Sequence, residues 1–198
     1  IPLRLVGSEM CIRDRVQVIG GATPNGRLMK CIANELYKGK FMSDLAHITN
    51  FVQITPAVGT AGQPRAEYFA DIAAAGYSVV INLAMADSDH ALPNEGNLVA
   101  SLGMTYIHMP VDFQTPRPTD VARFIGLMRS LDSESGDSKI FVHCVVNFRV
   151  SAFMYHYLKL AKGYTDEDAR SPMFEKWAPY MDDVWANLLT WTQEDIFG

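Results

Sequence analysis

The sequence predicts a compact α/β fold, with helices on both sides of a central, mainly parallel sheet of four or five strands. Short segments rich in β-branched residues alternate along the chain with segments whose apolar residues recur at helical spacing. Two of the short segments, Ser78–Leu83 and Lys139–His143, have the Val, Ile and Phe content of strands buried on both faces. The chain has 198 residues, 48% hydrophobic and 20% charged, which suits one globular domain.

The individual elements follow from local patterns. The expected strands are Phe51–Thr55, Ser78–Leu83, Met104–Met109 and Lys139–His143. The expected helices are Arg65–Ala75, Asn94–Leu102, Thr119–Leu131, Ser151–Lys162, one that begins at Thr165, and Tyr180–Glu194. Pro64 suits a first helical turn, Thr119 suits an N-cap, and Gly163 suits the residue that follows a helix.

The composition excludes several classes of protein. Lys and Arg number 17 against 22 Asp and Glu, a net charge of −5, so the chain lacks the positive field of a non-specific nucleic-acid binder. No apolar run approaches the roughly 18 residues of a membrane-spanning helix. Three cysteines do not make a disulfide framework and favour a reducing compartment. We therefore expect a bacterial, cytoplasmic protein with neither nucleic acid nor membrane as a partner.

The first 41 residues differ in character from the rest. The segment Val6–Arg15 resembles a translated sequencing adapter, and Met42 looks like a natural start. No apolar core of a secretory signal is present there. We expect residues 1–41 to be a non-native or disordered N-terminal extension, and residues 42–198 to be a single domain in which Cys144 is the only cysteine.

The chemically informative segment is Val142–Ser151, where a buried strand gives way to a buried helix. Such a turn directs backbone N–H groups and a helix N-terminus at one point, which makes an anion site. Cys144 would lie at the floor of this site, where the same dipoles favour its thiolate. Arg149 adds a forked donor for two oxygens of a tetrahedral anion, and Ser151 can donate a hydrogen bond to the sulfur when it leaves.

The string from His143 and Cys144 to Arg149 and Ser151 resembles the signature loop of the cysteine-based protein tyrosine phosphatases, in their compact dual-specificity branch. Further motifs extend this resemblance over roughly residues 45–190. Val80–Leu83 looks like the family's central strand, and Tyr106–Asp112 looks like the strand that leads to its general-acid loop. Gly62–Pro64 and Ala74–Tyr77 are similar to segments of the bacterial phosphatase-like domain that is also found fused to beta-lactamase-like hydrolases.

The resemblance implies a phosphate monoester hydrolase of the protein tyrosine or dual-specificity type. The Cys144 thiolate would form a phosphocysteine, and Arg149 with the loop amides would stabilise the transition state. Asp112, in a proline-rich segment 32 residues before Cys144, would be the general acid; its alternative role is that of a turn or cap residue. His143 would hold the loop and tune the thiolate. The expected phosphate-binding residues are Val145, Val146, Asn147, Phe148 and Arg149.

The segment departs from the family in two ways. Four residues rather than five separate Cys144 from Arg149, so Val150 stands where the arginine is expected. The loop also has no glycine, and Asn147 is its one residue that adopts a left-handed conformation easily. Either the loop follows a tighter path, or Arg149 points about 100° away from the family's direction.

These departures leave two alternatives open. Four residues between cysteine and arginine is the spacing of many rhodanese-like sulfurtransferases, although their loops commonly carry a glycine. A non-catalytic module that binds a phosphorylated ligand or a small anion is the other alternative. A phosphatase needs Cys144 and an acid such as Asp112, a sulfurtransferase needs Cys144 and a sulfur donor, and a binder should tolerate Cys144→Ser.

No cofactor is expected. The five histidines have no metal-ligand spacing with acids or cysteines, so neither a metal nor an organic cofactor is implied. The expected partner is a phosphorylated protein or a small-molecule phosphate monoester. Trp177, Trp185 and Trp191 are expected to pack the C-terminal helices onto the sheet.

Overall fold

A five-stranded, mostly parallel sheet forms the centre of the protein, as the sequence predicts. The structure, a computed structural model, describes residues 45–131 and 138–198. The expected extension, residues 1–41, lies outside the described residues. The strands are β1 (Val52–Thr55), β2 (Val58–Ala61), β3 (Tyr77–Asn82), β4 (Thr105–His108) and β5 (Lys139–His143), in the spatial order β1-β2-β5-β3-β4. Strand β1 pairs antiparallel with β2 at one edge, and all other neighbours are parallel.

Seven α-helices in the described ranges accompany the sheet. They are α1 (Phe69–Ala74), α2 (Glu95–Ser101), α3 (Pro118–Leu131), α4 (Phe148–Lys162), α5 (Met173–Trp177), α6 (Asp183–Leu188) and α7 (Gln193–Phe197). Short 3₁₀ helices precede α1 at Ala66–Tyr68 and follow α5 at Ala178–Tyr180. None of the helices in residues 45–131 and 138–198 has the length and apolar character needed to cross a membrane.

Each face of the sheet has its own hydrophobic cluster. Ile81 and Val142 belong to the cluster that includes α3, α4 and the C-terminal helices, whereas Val80 and Phe141 belong to the cluster that includes α1 and α2. Successive residues of a strand point to opposite faces, so β3 and β5 need apolar side chains at consecutive positions. This is why uninterrupted apolar runs mark these two strands in the sequence.

Helix α4 is the buried helix that the sequence predicts, but it begins three residues earlier than expected, at Phe148. All ten side chains from Arg149 to Leu158 are buried. The helix ends at Gly163, which adopts the left-handed conformation (φ 71°) that glycine takes without strain. The early start brings Arg149 into the first turn of the helix.

The local sequence does not predict strand β2. Residues Val58–Ala61 are buried and pair in parallel with Ile140–His143 of β5. Glycine is needed inside this strand because a side chain at position 59 would collide with the hydroxyl of Tyr77. A short strand that contains such a glycine resembles a turn when it is judged from local sequence alone.

Two C-terminal expectations are also wrong. The helix expected from Thr165 is a single turn, held by the Thr165 hydroxyl and Asp168; Pro172 follows, and the residue before a proline avoids the helical conformation. The single helix expected over Tyr180–Glu194 is interrupted. Asp182 and Thr192 both take extended conformations and cap the two short helices α6 and α7.

Candidate active site

Cys144 lies directly after β5, at the edge of the sheet where the parallel strands end. Cys144 is 1% exposed, and its backbone N–H donates to the carbonyl oxygen of Ala61 in β2 (3.3 Å). The side chain lines a cavity of about 360 Å³ together with Arg149 and several aromatic residues. Ligand sites in open α/β sheets lie at this edge. The position of Cys144 therefore suits a reacting group.

The chain turns from strand to helix through four residues, 144–147. Asn147 adopts the left-handed conformation (φ 72°, ψ 7°), which confirms the expectation for this residue. Its buried side-chain amide donates to the carbonyl oxygen of Asn50 (2.8 Å) and to Oγ1 of Thr60 (3.1 Å). One left-handed residue thus reverses the chain, and the loop needs no glycine of its own.

A glycine opposite the loop gives it the space that it needs. Gly62 forms an isolated bridge with Val146, and a Cβ atom at Gly62 would lie 2.7 Å from the carbonyl oxygen of Val145. The next residue, Gln63, donates its backbone N–H to the same oxygen (2.9 Å). The end of β2 therefore supports the backbone of the Cys144 loop from one side.

The role of Asn147 can be tested by comparing two substitutions. Asn147→Ala loses both side-chain hydrogen bonds and forces a Cβ-bearing residue into the left-handed region, at a combined cost of about 2–4 kcal/mol in the free energy of unfolding. Asn147→Gly loses the hydrogen bonds but not the backbone fit, so we expect it to be more stable than Asn147→Ala by about 1 kcal/mol. Urea denaturation of the two variants measures the difference. Equal stabilities would contradict the account of this turn.

Arg149 faces the cavity that contains Cys144. It is 5% exposed, its Nη1 donates to the carbonyl oxygens of Val111 (2.7 Å) and Leu83 (3.1 Å), and its guanidinium carbon lies 5.6 Å from the ring centre of Phe113. Val150, which stands at the family's arginine position, is buried in the hydrophobic core. The loop has therefore taken the tighter path, and Arg149 is not turned away from the site.

The first turn of α4 lies next to the cavity, since Phe148 and Arg149 both line it. The first hydrogen bond of the helix runs from the N–H of Ser151 to the carbonyl oxygen of Asn147 (3.1 Å). The N–H groups of residues 148–150 come before this bond, so they have no acceptor within the helix. They lie at the positive end of a 15-residue helix. Four of the five expected phosphate-binding residues line the cavity: Val145, Val146, Phe148 and Arg149. The fifth, Asn147, is fully buried and does not line it.

The two supporting residues have defined partners. His143 is fully buried, and its Nε2 lies 2.9 Å from a carboxylate oxygen of Glu95. The hydroxyl of Ser151 donates to the carbonyl oxygen of Asn147 (2.7 Å) rather than toward the sulfur. A hydrogen bond from Ser151 to a leaving thiolate would require this hydroxyl to rotate.

Asp112 is held as a turn residue on the exposed segment after β4. Its carboxylate accepts hydrogen bonds from the backbone N–H of Gln114 (2.8 Å) and from the hydroxyl of Thr115 (3.0 Å). These hydrogen bonds, with a smaller contribution from the positive charge of Arg149, hold the pKa of Asp112 below its usual value. Asp112 is therefore ionised in the free protein at neutral pH, and it lies near enough to Arg149 for the positive charge of Arg149 to lower its pKa.

The sequence interpretation missed an aromatic wall beside Cys144. This aromatic wall consists of Phe113, Phe148, Trp177 and Tyr180, all of which line the cavity. Phe148 and Trp177 stack with ring centres 4.8 Å apart, and Tyr180 is 79% exposed. The sequence could identify the aromatic residues but not their position, because Trp177 was expected only to pack the C-terminal helices.

The rest of the described chain adds two observations. A larger cavity, about 660 Å³, shares Val145 and Val146 with the first cavity but does not include Cys144. Within residues 45–131 and 138–198, no cluster of three or more His, Cys, Asp or Glu side chains could hold a metal ion.

Comparison with known proteins supports the resemblance. No protein-family model matches the sequence, and a comparison with curated proteins finds no match. A DUF442 protein of Shewanella putrefaciens CN-32, provisionally assigned as a phosphatase, is 33% identical with a TM-score of 0.66, and the match covers 75% of this chain and 94% of that chain. A second crystal structure under the same description gives 34% identity and a TM-score of 0.64.

Two more distant structures share the fold. Tk-PTP in its active form is 16% identical with a TM-score of 0.56, over 70% of this chain and 92% of that chain. TpbA of P. aeruginosa, in complex with pTyr, is 14% identical with a TM-score of 0.54, over 74% of this chain and 86% of that chain. The fold is that of the cysteine-based phosphatases, as the sequence resemblance predicts.

Proposed function

The chain belongs to the DUF442 family, and on that basis we propose that it is a phosphate monoester hydrolase that works through a phosphocysteine on Cys144. The observation that carries the proposal is the shared cavity of Cys144 and Arg149 at the N-terminus of α4. A nucleophile, a bidentate cation and helix amides around one point are the parts that phosphoryl transfer requires.

In the proposed first step the Cys144 thiolate attacks the phosphorus of a monoester. An S–P bond forms and the bond from phosphorus to the ester oxygen breaks. The guanidinium of Arg149 and the first amides of α4 stabilise the charge on the three remaining oxygens. Asp112, once it has taken up a proton from solvent, donates that proton to the leaving oxygen, so the alcohol or phenol departs neutral.

In the second step water attacks the phosphocysteine. Asp112, now a carboxylate, takes a proton from this water while the S–P bond breaks. Inorganic phosphate leaves and the thiolate is restored. Asp112 then gives up its proton to solvent and returns, as a carboxylate, to the turn that it occupies in the free protein. Two hydrogen bonds from neighbours in sequence hold Asp112 on an exposed segment, and the proposed mechanism requires it to leave this turn and move toward the cavity.

Hydrolysis of para-nitrophenyl phosphate by the full chain tests the proposal. We expect turnover that vanadate inhibits and that Cys144→Ser abolishes, because serine is not ionised at neutral pH. Circular dichroism of the variant controls for folding. No turnover by a folded wild-type protein would contradict the proposal; thiosulfate-to-cyanide transfer or phosphopeptide binding without hydrolysis would then point to the alternatives.

The acid role of Asp112 predicts a dependence on the leaving group. Asp112→Asn should reduce kcat about 10²–10⁴-fold for an alkyl phosphate, whose leaving oxygen needs a proton, and much less for para-nitrophenyl phosphate. The pKa of Asp112 is lowered, so only a small fraction of the free enzyme carries the protonated acid at neutral pH, and this fraction grows as the pH falls. Turnover of the alkyl substrate should therefore be favoured by acidic pH. Equal losses for both substrates would remove Asp112 from the mechanism.

The aromatic wall supports an aryl phosphate as the preferred substrate. Among the described residues, Arg149 is the one charged side chain that lines this cavity, so the cavity offers ring contacts and little to attract further anionic groups. An aromatic pair contributes about 0.5–1.5 kcal/mol beyond the area it buries.

Tyr180→Ala tests this preference without disturbing the core, because Tyr180 is exposed. We expect kcat/KM for a phosphotyrosine peptide to fall about 2–10-fold, and kcat/KM for an alkyl phosphate to stay the same. Tyr164→Ala is the matched control, since Tyr164 is also exposed and lies beyond the far end of α4. Equal effects on both substrates would contradict a role of Tyr180 in aryl binding.

A further inference from the structure

Glu95, the first residue of α2, is a buried carboxylate that the mechanism above does not use. It is 3% exposed. One of its oxygens accepts hydrogen bonds from Nε2 of His143 (2.9 Å) and Nδ2 of Asn82 (3.2 Å), and the other accepts one from Nε2 of Gln63 (2.6 Å). Burying a carboxylate is costly unless its charge is paired and hydrogen-bonded, and here both oxygens have donors.

The three partners of Glu95 stand at the ends of three adjacent strands. Asn82 ends β3, His143 ends β5, and Gln63 lies two residues beyond the end of β2. Two of them also form backbone hydrogen bonds at or beside the loop. The N–H of Gln63 donates to the carbonyl oxygen of Val145 (2.9 Å), and the carbonyl oxygen of His143 accepts from Leu83 (2.9 Å). Glu95 therefore connects the strand ends that carry the nucleophile.

Glu95 is charged at neutral pH. Burial by itself would raise the pKa of Glu95, but the hydrogen bond and charge of His143, with hydrogen bonds from Gln63 and Tyr106, hold its pKa below the usual value. The titratable groups facing it are His143 from β5 and Tyr106 from β4. Burial raises the pKa of Tyr106 to about 12, so its hydroxyl stays neutral. His108 lines the same cavity of about 170 Å³ as Glu95.

We propose that Glu95 is a positioning residue, which fixes the His143 ring and, through His143 and Gln63, holds the Cys144 loop in the geometry that stabilises the thiolate. The inference rests on the proposed function. A carboxylate only accepts hydrogen bonds, so it keeps the hydrogen of His143 on Nε2 and fixes the orientation of the ring. His143 directly precedes the nucleophile, so a fixed ring restrains the loop where it begins.

Glu95 could act on Cys144 by positioning the loop or directly through its negative charge. The direction in which the pH midpoint of thiolate formation changes distinguishes the two. Removing a negative charge near Cys144 would by itself make the thiolate easier to form. In the proposed mechanism the loop amides stabilise the thiolate, so loosening them would make it harder to form. The two effects have opposite signs, so the pH at which half of the Cys144 thiols react as thiolate distinguishes them.

The experiment measures the rate at which iodoacetamide alkylates Cys144 against pH, in the full chain, with Glu95→Gln as the variant and mass spectrometry of the Cys144 peptide as the readout. The glutamine side chain can still accept from His143, but it no longer offers Gln63 a carboxylate oxygen, so the charged hydrogen bond to Gln63 is lost. We expect the pH midpoint to rise by roughly one unit, which slows alkylation about tenfold below the midpoint. Glu194→Gln, on the exposed side of α7, removes the same charge and should leave the midpoint unchanged.

Each outcome decides the question. An unchanged or lowered midpoint in folded Glu95→Gln protein overturns the positioning role. If that variant does not fold, Gln63→Met takes its place: it removes one hydrogen bond to Glu95, keeps the backbone bond to Val145, and should raise the midpoint by a smaller amount. No rise in Gln63→Met would overturn the inference. A wild-type midpoint near the ordinary thiol value of about 8.5 would instead overturn the proposed function.

Discussion

The sharp reversal of the chain between β5 and α4 is the constraint on which the site depends. The strand ends at His143 and the helix begins at Phe148, and both elements are buried, so neither end can shift to relax the turn. One left-handed residue, Asn147, completes the reversal. Since the loop is short, Cys144 and Arg149 line the same cavity.

Contacts from outside the loop stabilise this reversal. The side chain of Asn147 binds Asn50 and Thr60, and Gly62 leaves room for the carbonyl oxygen of Val145. These partners lie about 80–100 residues earlier in the chain than the loop itself. The space that the family obtains from glycines within the loop is thus obtained here from a glycine beside the end of the neighbouring strand.

How far the sequence could predict this protein depends on how local each signal is. The central strands, Cys144, Arg149 and the left-handed Asn147 were predictable, because consecutive residues carry the pattern. Glu95 was not, since 48 residues separate it from His143 and only the fold brings the two together. Strand β2 was missed for the same reason: the glycine inside it is explained by Tyr77, which pairs elsewhere in the sheet.

The expectation for Asp112 shows a different kind of limit. Its proline-rich, exposed segment was predictable, whereas the acid role and the turn role both remained open. In the structure the carboxylate serves as a turn residue, and its pKa is lowered by the donors that hold it. A mobile acid must leave such a turn to act, so the turn is the resting position of Asp112 in the proposed cycle.

The most direct measurement is to identify what forms on Cys144 during turnover. The full chain would be mixed with an aryl phosphate, quenched in acid within the first turnovers, digested and analysed by mass spectrometry. We expect a phosphoryl group on the peptide that contains Cys144, and none after the same treatment of Cys144→Ser. Hydrolysis that proceeds while Cys144 stays unmodified, or a persulfide on Cys144 after thiosulfate treatment with no phosphoryl adduct, would contradict the account.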